Sequence, residues 1–189
     1  MRFLVFVLLL LGAPAFAFAD EAALKVEAPE GTMLSKKDDA AVKKVLVDYL
    51  DALRTRNYAA AGELLDRKSL LATVDPMTHS ISSDSTTLGA ARKKIYGVST
   101  ADSIQATANG PLFASLMAYL LEANPSAAEV LEKAQIQVLA TRQMKGKASV
   151  AYQLTLPAQD AGGMPYEQVT AQQMIKENGK WRILFKLEH

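Results

Sequence analysis

The hydrophobic period of this chain changes once, at Ala134, and that change limits its fold more than any other feature. Before it, apolar residues recur at helical spacing: Val42, Val45, Leu46, Tyr49, Leu50 and Leu53 form one stripe, and Leu112, Phe113, Leu116, Met117, Leu120 and Leu121 another. After it they alternate, as Ala148, Val150, Tyr152, Leu154 and Leu156 do in "ASVAYQLTL". That is the spacing of a strand with one buried face. Helices followed by strands define an α+β domain, its N-terminal helices packed on a curved C-terminal antiparallel sheet of about four strands.

Turn chemistry orders those strands. "QIQVLATRQ" and "ASVAYQLTL" flank "MKGK", "PAQDAGGMP" makes a wide loop, and "YEQVTAQQMIKE" and "KWRILFKLE" flank Asn178-Gly179. Asn-Gly favours a two-residue type I′ hairpin, in which both positions need positive φ. With Glu177 facing Lys180, Lys176 opposes Trp181, Met174 opposes Ile183, Gln172 opposes Phe185 and Thr170 opposes Leu187 on one face. The other face carries Val169, Ala171, Gln173 and Ile175 and is the more solvated. Trp181, Ile183 and Phe185 then point at the helices, and a buried tryptophan removes on the order of 150 to 250 Å² from water. The same side chains serve either as packed core or as the wall of a pocket, with Gln172 as its polar orienting group.

The helices carry their own start signals. "SKKD" makes Ser35 an N-cap, and Asn57 caps a short helix in "YAAAGELLD", whose alanines permit close approach to a neighbour. These two helices form an antiparallel pair. Between Arg67 and Asn109 the pattern weakens: "THSISSDSTT" reads as a polar loop, "TLGAARKKIYG" as a helix ended by Gly97, and "VSTADSIQATANG" as another turn or two. Pro111 suits a first helical turn, Asn124 and Pro125 stop that helix, and "SAAE" reads as a capping box opening a helix over Ala127 to Lys133.

"MRFLVFVLLLLGAPAFAFAD" has one charge, an apolar run from Phe3 to Leu11 and small-x-small sites, the pattern of a secretory signal cut after Ala19 or Ala17. Its apolar run is about half the ~20 residues a transmembrane helix needs. Arg2 leaves with the segment, so twenty-one basic side chains become twenty, against twenty acidic ones. A neutral mature chain argues against nucleic acid or an anionic membrane as partner. "ARKKIYG", the only dense basic run, is a solvated helix face. Without cysteine there is neither a lipid attachment point nor a disulfide, and stability must come from packing. The expectation is a periplasmic or released protein: a signal peptide over 1–19, a mobile leader over 20–34, and a single domain over 35–189 with a helical insertion around 77–134.

A long capped helix, a short helix after "TRNYAAAGELLD", further helices and an antiparallel sheet ending in "ENGKWRI" together resemble the nuclear transport factor-like cone fold. That superfamily wraps a bent sheet around its helices and leaves a cavity between them. It includes ketosteroid isomerases, in which a tyrosine and a carboxylic acid donate hydrogen bonds to an enolate while an aspartate shuttles the proton. By this resemblance Tyr49 in "DYLDALRTRNYAAAGELLD" stands at the tyrosine's place and Asp75 in "LLATVDPM" at the base's place. Gln173 stands where the second acid would be, and an amide cannot reproduce a neutral carboxylic acid's donation. Read from the residues alone, Tyr49 is a core tyrosine, Asp75-Pro76 an ordinary turn dipeptide and His79 a loop histidine.

Two histidines far apart, no cysteine and no spaced carboxylate set give no metal site, and no glycine-rich phosphate loop is present, so no cofactor is expected. Three functions are open, in order of support. The first is an exported non-catalytic binding or interaction module, its pocket candidates Tyr49, Gln172, Met174, Trp181 and Phe185, its partner a small apolar ligand, a protein or a second copy through the sheet. The second is an isomerase- or cyclase-like enzyme using Asp75 and Tyr49. The third is an envelope structural protein docking through its sheet.

Overall fold

A computed structural model describes residues 32–81, 85–144, 146–157 and 165–186. The expected signal segment, most of the leader and Leu187 lie outside the described residues. Among them, seven helices precede four strands: α1 (Lys36–Arg54), α2 (Tyr58–Glu63), α3 (Arg67–Ile81), α4 (Ser85–Tyr96), α5 (Ala101–Ala106), α6 (Asn109–Ala123), α7 (Pro125–Lys133), then β1 (Gln135–Met144), β2 (Lys147–Leu156), β3 (Tyr166–Glu177) and β4 (Lys180–Ile183). The strands form one antiparallel sheet in the order β1-β2-β3-β4. The α+β class and the four-stranded C-terminal sheet are therefore as expected.

Helix α1 starts where its cap dictates, with the Ser35 hydroxyl accepting from the Asp38 amide at 3.1 Å. Its apolar stripe of Val42, Leu46, Tyr49, Leu50 and Leu53 is buried. On the sheet, Ala148, Val150, Tyr152, Leu154 and Leu156 are buried together with Met174, Trp181, Ile183 and Phe185, and all but Ala148 of β2's set are apolar side chains larger than alanine. The two faces meet in one core.

Polar bonds fix how α1 lies on the sheet. Asp38 Oδ1 accepts from Trp181 Nε1 at 2.9 Å and from Lys176 Nζ at 2.6 Å. Next to it, Asp39 accepts from the Thr141 hydroxyl on β1 and from Lys43 at 2.8 Å. One helical turn thus holds both the first strand and the last hairpin, and its free N–H groups favour the two carboxylates.

The final hairpin pairs Glu177 with Lys180, Lys176 with Trp181, Ile175 with Arg182 and Met174 with Ile183, as the Asn-Gly turn requires. Asn178 and Gly179 both have positive φ, 48° and 78°. The expected continuation to Gln172 opposite Phe185 is not formed. Leu184 still donates to the Gln173 carbonyl at 2.9 Å, but its own carbonyl is taken by the Gln172 side-chain amide at 2.9 Å. The reason is competition from the other side of β4. Ile183 bonds Leu64 and Asp66 in a parallel bridge at 2.9 and 2.8 Å, and the Phe185 amide donates to the Ser69 hydroxyl at 2.9 Å. The last strand is drawn onto the start of α3.

Other departures have local causes. "THSI" continues α3 and "STT" opens α4, so part of the expected polar loop is helical, and His79 is a helix residue. Asp75-Pro76 is no turn: Pro76 lies inside α3 on its exposed side, where a missing N–H costs least. Helix α7 begins at Pro125 with Asn124 as its cap, two residues before the expected start, because proline at the first helical position needs no donor. Thr32, placed in the expected leader, exchanges two backbone bonds with Gln143 at 3.1 and 2.8 Å.

Close approach between α2 and α6 relies on two glycines. A Cβ on Gly62 would lie 2.7 Å from the Asn109 carbonyl and 2.7 Å from Phe113 Cβ. A Cβ on Gly110 would lie 2.7 Å from Glu63 Oε1, the carboxylate that caps the Gly110 amide at 2.9 Å. Glycine to alanine inside a helix ordinarily stabilises by up to about 1 kcal/mol. At Gly62 the sign should reverse, with Gly62→Ala losing about 1–3 kcal/mol in urea unfolding because backbone must move.

The clasp around Asp38 has a pH signature. Hydrogen bonds from Lys176 and then Trp181 hold its carboxyl down at about 2, against about 3.9 for an unfolded aspartate. Its stabilising contribution is complete above pH ~4 and disappears as the pH falls towards 2. Urea midpoints of wild type and Asp38→Asn should differ at neutral pH and converge in that acid range.

Candidate functional site

The inward pocket candidates occupy the core. Tyr49 is 2% exposed, Met174 0%, Phe185 4% and Gln172 and Trp181 7% each. Tyr49 lies against Phe113 with ring centroids 6.3 Å apart, and Phe113 meets Phe185 edge to face at 5.5 Å. Gln172 spends its amide on the backbone of Leu184 and Gln173. Burial pushes the Tyr49 and Tyr152 phenols well above their ordinary range.

Asp75 stands elsewhere, on the solvent side of α3. Its carboxylate pairs with Arg92 of α4 at 3.2 Å and stands 4.0 Å from His79 Nε2 one turn along its own helix. The Arg92 side chain is largely buried, and its Nε has no hydrogen-bond partner.

Asp75 also forms one rim of a groove of about 390 Å³. Leu71, Ala72, Asp75 and Pro76 supply the α3 wall, and Ala101, Ile104 and Gln105 the α5 wall. The groove is open and mainly apolar, and its volume falls within the ~300–1,000 Å³ usual for small-molecule sites. Its polar lining side chains are Asp75 and Gln105, and Ala72 in the α3 wall has a carbonyl to which Pro76, lacking an N–H, cannot donate.

The groove walls are held by groups that carry no motif in the sequence. Arg67 at the start of α3 donates to the carbonyls of Ile104 at 3.1 Å and Gln105 at 2.6 Å, and to Asn109 Oδ1 at 3.0 Å. Thr100 caps α5 through the Ser103 amide at 3.1 Å. The one sequence signal for the groove is the Leu71, Ala72, Asp75, Pro76 spacing, which marks a single helix face but contains a proline that argues for a turn. A second cleft, between α1, α7 and β1, has room for about 20 Å³, no more than a water. Neither cleft is lined by Tyr49, Gln172, Met174, Trp181 or Phe185.

Among the described residues no three His, Asp or Glu side chains come together to hold a metal, and no helix is long and apolar enough to cross a membrane. Tyr49 and Asp75, the resemblance's catalytic pair, lie in unlike surroundings: one buried in the core beside the Phe113 ring, the other exposed and ion-paired.

No protein-family model matches the chain, and no curated protein matches it in sequence. Two solved structures are similar to it. A calcium/calmodulin dependent protein kinase II association domain from Xanthomonas campestris is 18% identical, with a TM-score of 0.36 over 90% of this chain and 93% of that one. An iota-carbonic anhydrase from a cyanobacterium, complexed with bicarbonate, is 13% identical, with a TM-score of 0.32 over 84% of this chain and 94% of that one. Likeness at this level transfers neither activity nor partner to this chain.

The buried phenols make an alkaline test of this placement. Tyr96, whose hydroxyl donates to the Val74 carbonyl at 3.0 Å, is raised by burial to about 12, and Tyr49 and Tyr152 are raised as well. Unfolded tyrosine ionises near 10, so folding is favoured fully below that pH and is weakened as the pH rises past it. Tyrosinate absorbance should show these three phenols ionising only together with unfolding. Early, reversible ionisation of Tyr49 in the folded chain would place it in a wet pocket instead.

Proposed function

We propose that this chain is an exported binding module of the nuclear transport factor-like cone-fold superfamily, without chemistry of its own, that takes a small, mainly apolar molecule into the groove between α3 and α5. The groove itself carries this reading: a mainly apolar trough of about 390 Å³ whose polar lining side chains are Asp75 and Gln105. Export rests on the N-terminal signal pattern. The catalytic alternative has less support, because its tyrosine is sealed in the core and its carboxylate is paired with Arg92.

The Asp75 carboxylate at the rim favours ligands that bring a donor. A neutral solvatochromic dye such as Nile red should bind saturably, and Ala72→Trp, which fills the trough from an exposed helix position, should abolish the signal while leaving the fold intact by circular dichroism. A medium-chain alkylamine should displace the dye better than the fatty acid of equal length by about twofold to fivefold, the worth of an exposed ion pair. That preference should vanish in Asp75→Asn. Dye binding untouched by Ala72→Trp would end this reading.

A second reading has its own observation. Ala140, Ala151 and Ala171 stand in register across β1, β2 and β3 on the sheet face turned away from the core, with Leu139 and Met144 of β1 exposed. Ala151 is itself only 3% exposed, so the contact would be made by Ala171, Leu139 and Met144 around it, a small patch that a two-fold contact between copies would pair with itself. Sedimentation equilibrium should find a dimer that Ala171→Arg dissociates. A wild-type monomer at high micromolar concentration would contradict it.

A further inference from the structure

The chain contains two Asn-Gly dipeptides, at 109–110 and 178–179, and the fold treats them in opposite ways. Asn-Gly is the dipeptide most open to intramolecular attack, because glycine offers its backbone nitrogen without a shielding side chain. The reaction needs three freedoms: an amide side chain that can turn, a following N–H not engaged elsewhere, and a backbone able to bring that nitrogen to the side-chain carbonyl.

Asn109 has none of them. Its Nδ2 donates to the Leu65 carbonyl at 2.9 Å and its Oδ1 accepts from Arg67 at 3.0 Å. The Gly110 amide is committed to Glu63 Oε1 at 2.9 Å within the packed crossing of α2 and α6.

Asn178 is not held in this way. It occupies the exposed tip of the β3–β4 hairpin with Glu177, Gly179 and Lys180. The ladder bonds of a two-residue loop join Glu177 and Lys180, leaving the Gly179 N–H outside them.

We propose that Asn178-Gly179 is a self-modification site that ages the hairpin. The Gly179 nitrogen bonds to the Asn178 side-chain carbonyl carbon and loses its proton to solvent. The bond from that carbon to Nδ2 breaks, and ammonia leaves. Water then opens the five-membered succinimide at either carbonyl, giving aspartate or isoaspartate with no change of oxidation state.

The two products differ in consequence. Aspartate keeps the main chain and can hold positive φ. Isoaspartate routes the main chain through the former side chain and adds a methylene to a two-residue loop, so the Glu177–Lys180 register cannot be kept. The next pair inward is Lys176 with Trp181, and both of these side chains bond Asp38. Modification at the tip therefore loosens the contact between the hairpin and α1.

The test ages the full chain at mildly alkaline pH and maps it with a protease that cuts after lysine, which releases Glu177–Lys180 as one peptide. That peptide should gain one mass unit and resolve into aspartate and isoaspartate forms while the Asn109 peptide stays unchanged. In urea both should convert. Aged wild type should show a lower urea midpoint than fresh protein, and Asn178→Gly, which suits the turn but carries no amide, should keep its midpoint through the same ageing. Conversion of Asn109 in the folded chain as fast as Asn178, or an intact Asn178 over a period in which both convert in urea, would overturn the site. Equal loss of stability in aged wild type and aged Asn178→Gly would overturn its link to the clasp.

Discussion

The contact between the indole of Trp181 and the carboxylate of Asp38 decides how the two halves of this chain meet. A tryptophan buried in a core still needs a partner for its N–H, and here the partner is the first turn of α1, 2.9 Å away. Lys176 bonds the same carboxylate and stands over the indole ring, its Nζ 5.5 Å from the centroid. Thr141 reaches the neighbouring Asp39 from the opposite edge of the sheet. The helix is thereby oriented by polar bonds at its start and by Val42, Leu46, Tyr49 and Leu53 along its length. Apolar packing alone would allow it to slide, and these directional bonds remove that freedom.

Seated in this way, α1 closes the inner face of the sheet. The large side chains of α1, α6, β2 and β3 fill the space between the layers, and Gln172, one of the polar groups on that face, is consumed by the backbone where the last strand turns towards α3. The open groove lies elsewhere, on the flank where α3 and α5 stand apart with Arg67 holding the spacing. Asp75 belongs to this flank, which separates it from Tyr49 physically and chemically.

Elements with strong local signals were legible. Ser35 and Asn57 cap the helices expected of them, the alternation of β2 is realised residue by residue, and Asn178-Gly179 sets the hairpin register as far as Ile183. The failures share a cause, which is competition from a partner distant in sequence. Nothing within β4 announces that Leu64 and Asp66 will bond Ile183, or that Ser69 will take the Phe185 amide. The polarity of "THSISSDSTT" hid helical ends, since hydroxyls that favour loops also bond back to a helix's own carbonyls, as Thr78 does to Val74 at 2.9 Å. Of the candidate site, Asp75 was visible as a residue but its groove was not. A groove is formed by the separation of two helices, and that separation is fixed by Arg67 reaching residues nearly forty positions away.

Because the chain has a single tryptophan, its fluorescence reports on the central contact without interference. Emission should be blue-shifted and weakly quenched by acrylamide in the folded wild type, and Asp38→Ala should move it towards the emission of a hydrated indole while the helical circular dichroism persists. Wild-type emission already at the position of a water-exposed indole, or an Asp38→Ala spectrum indistinguishable from wild type, would contradict the account.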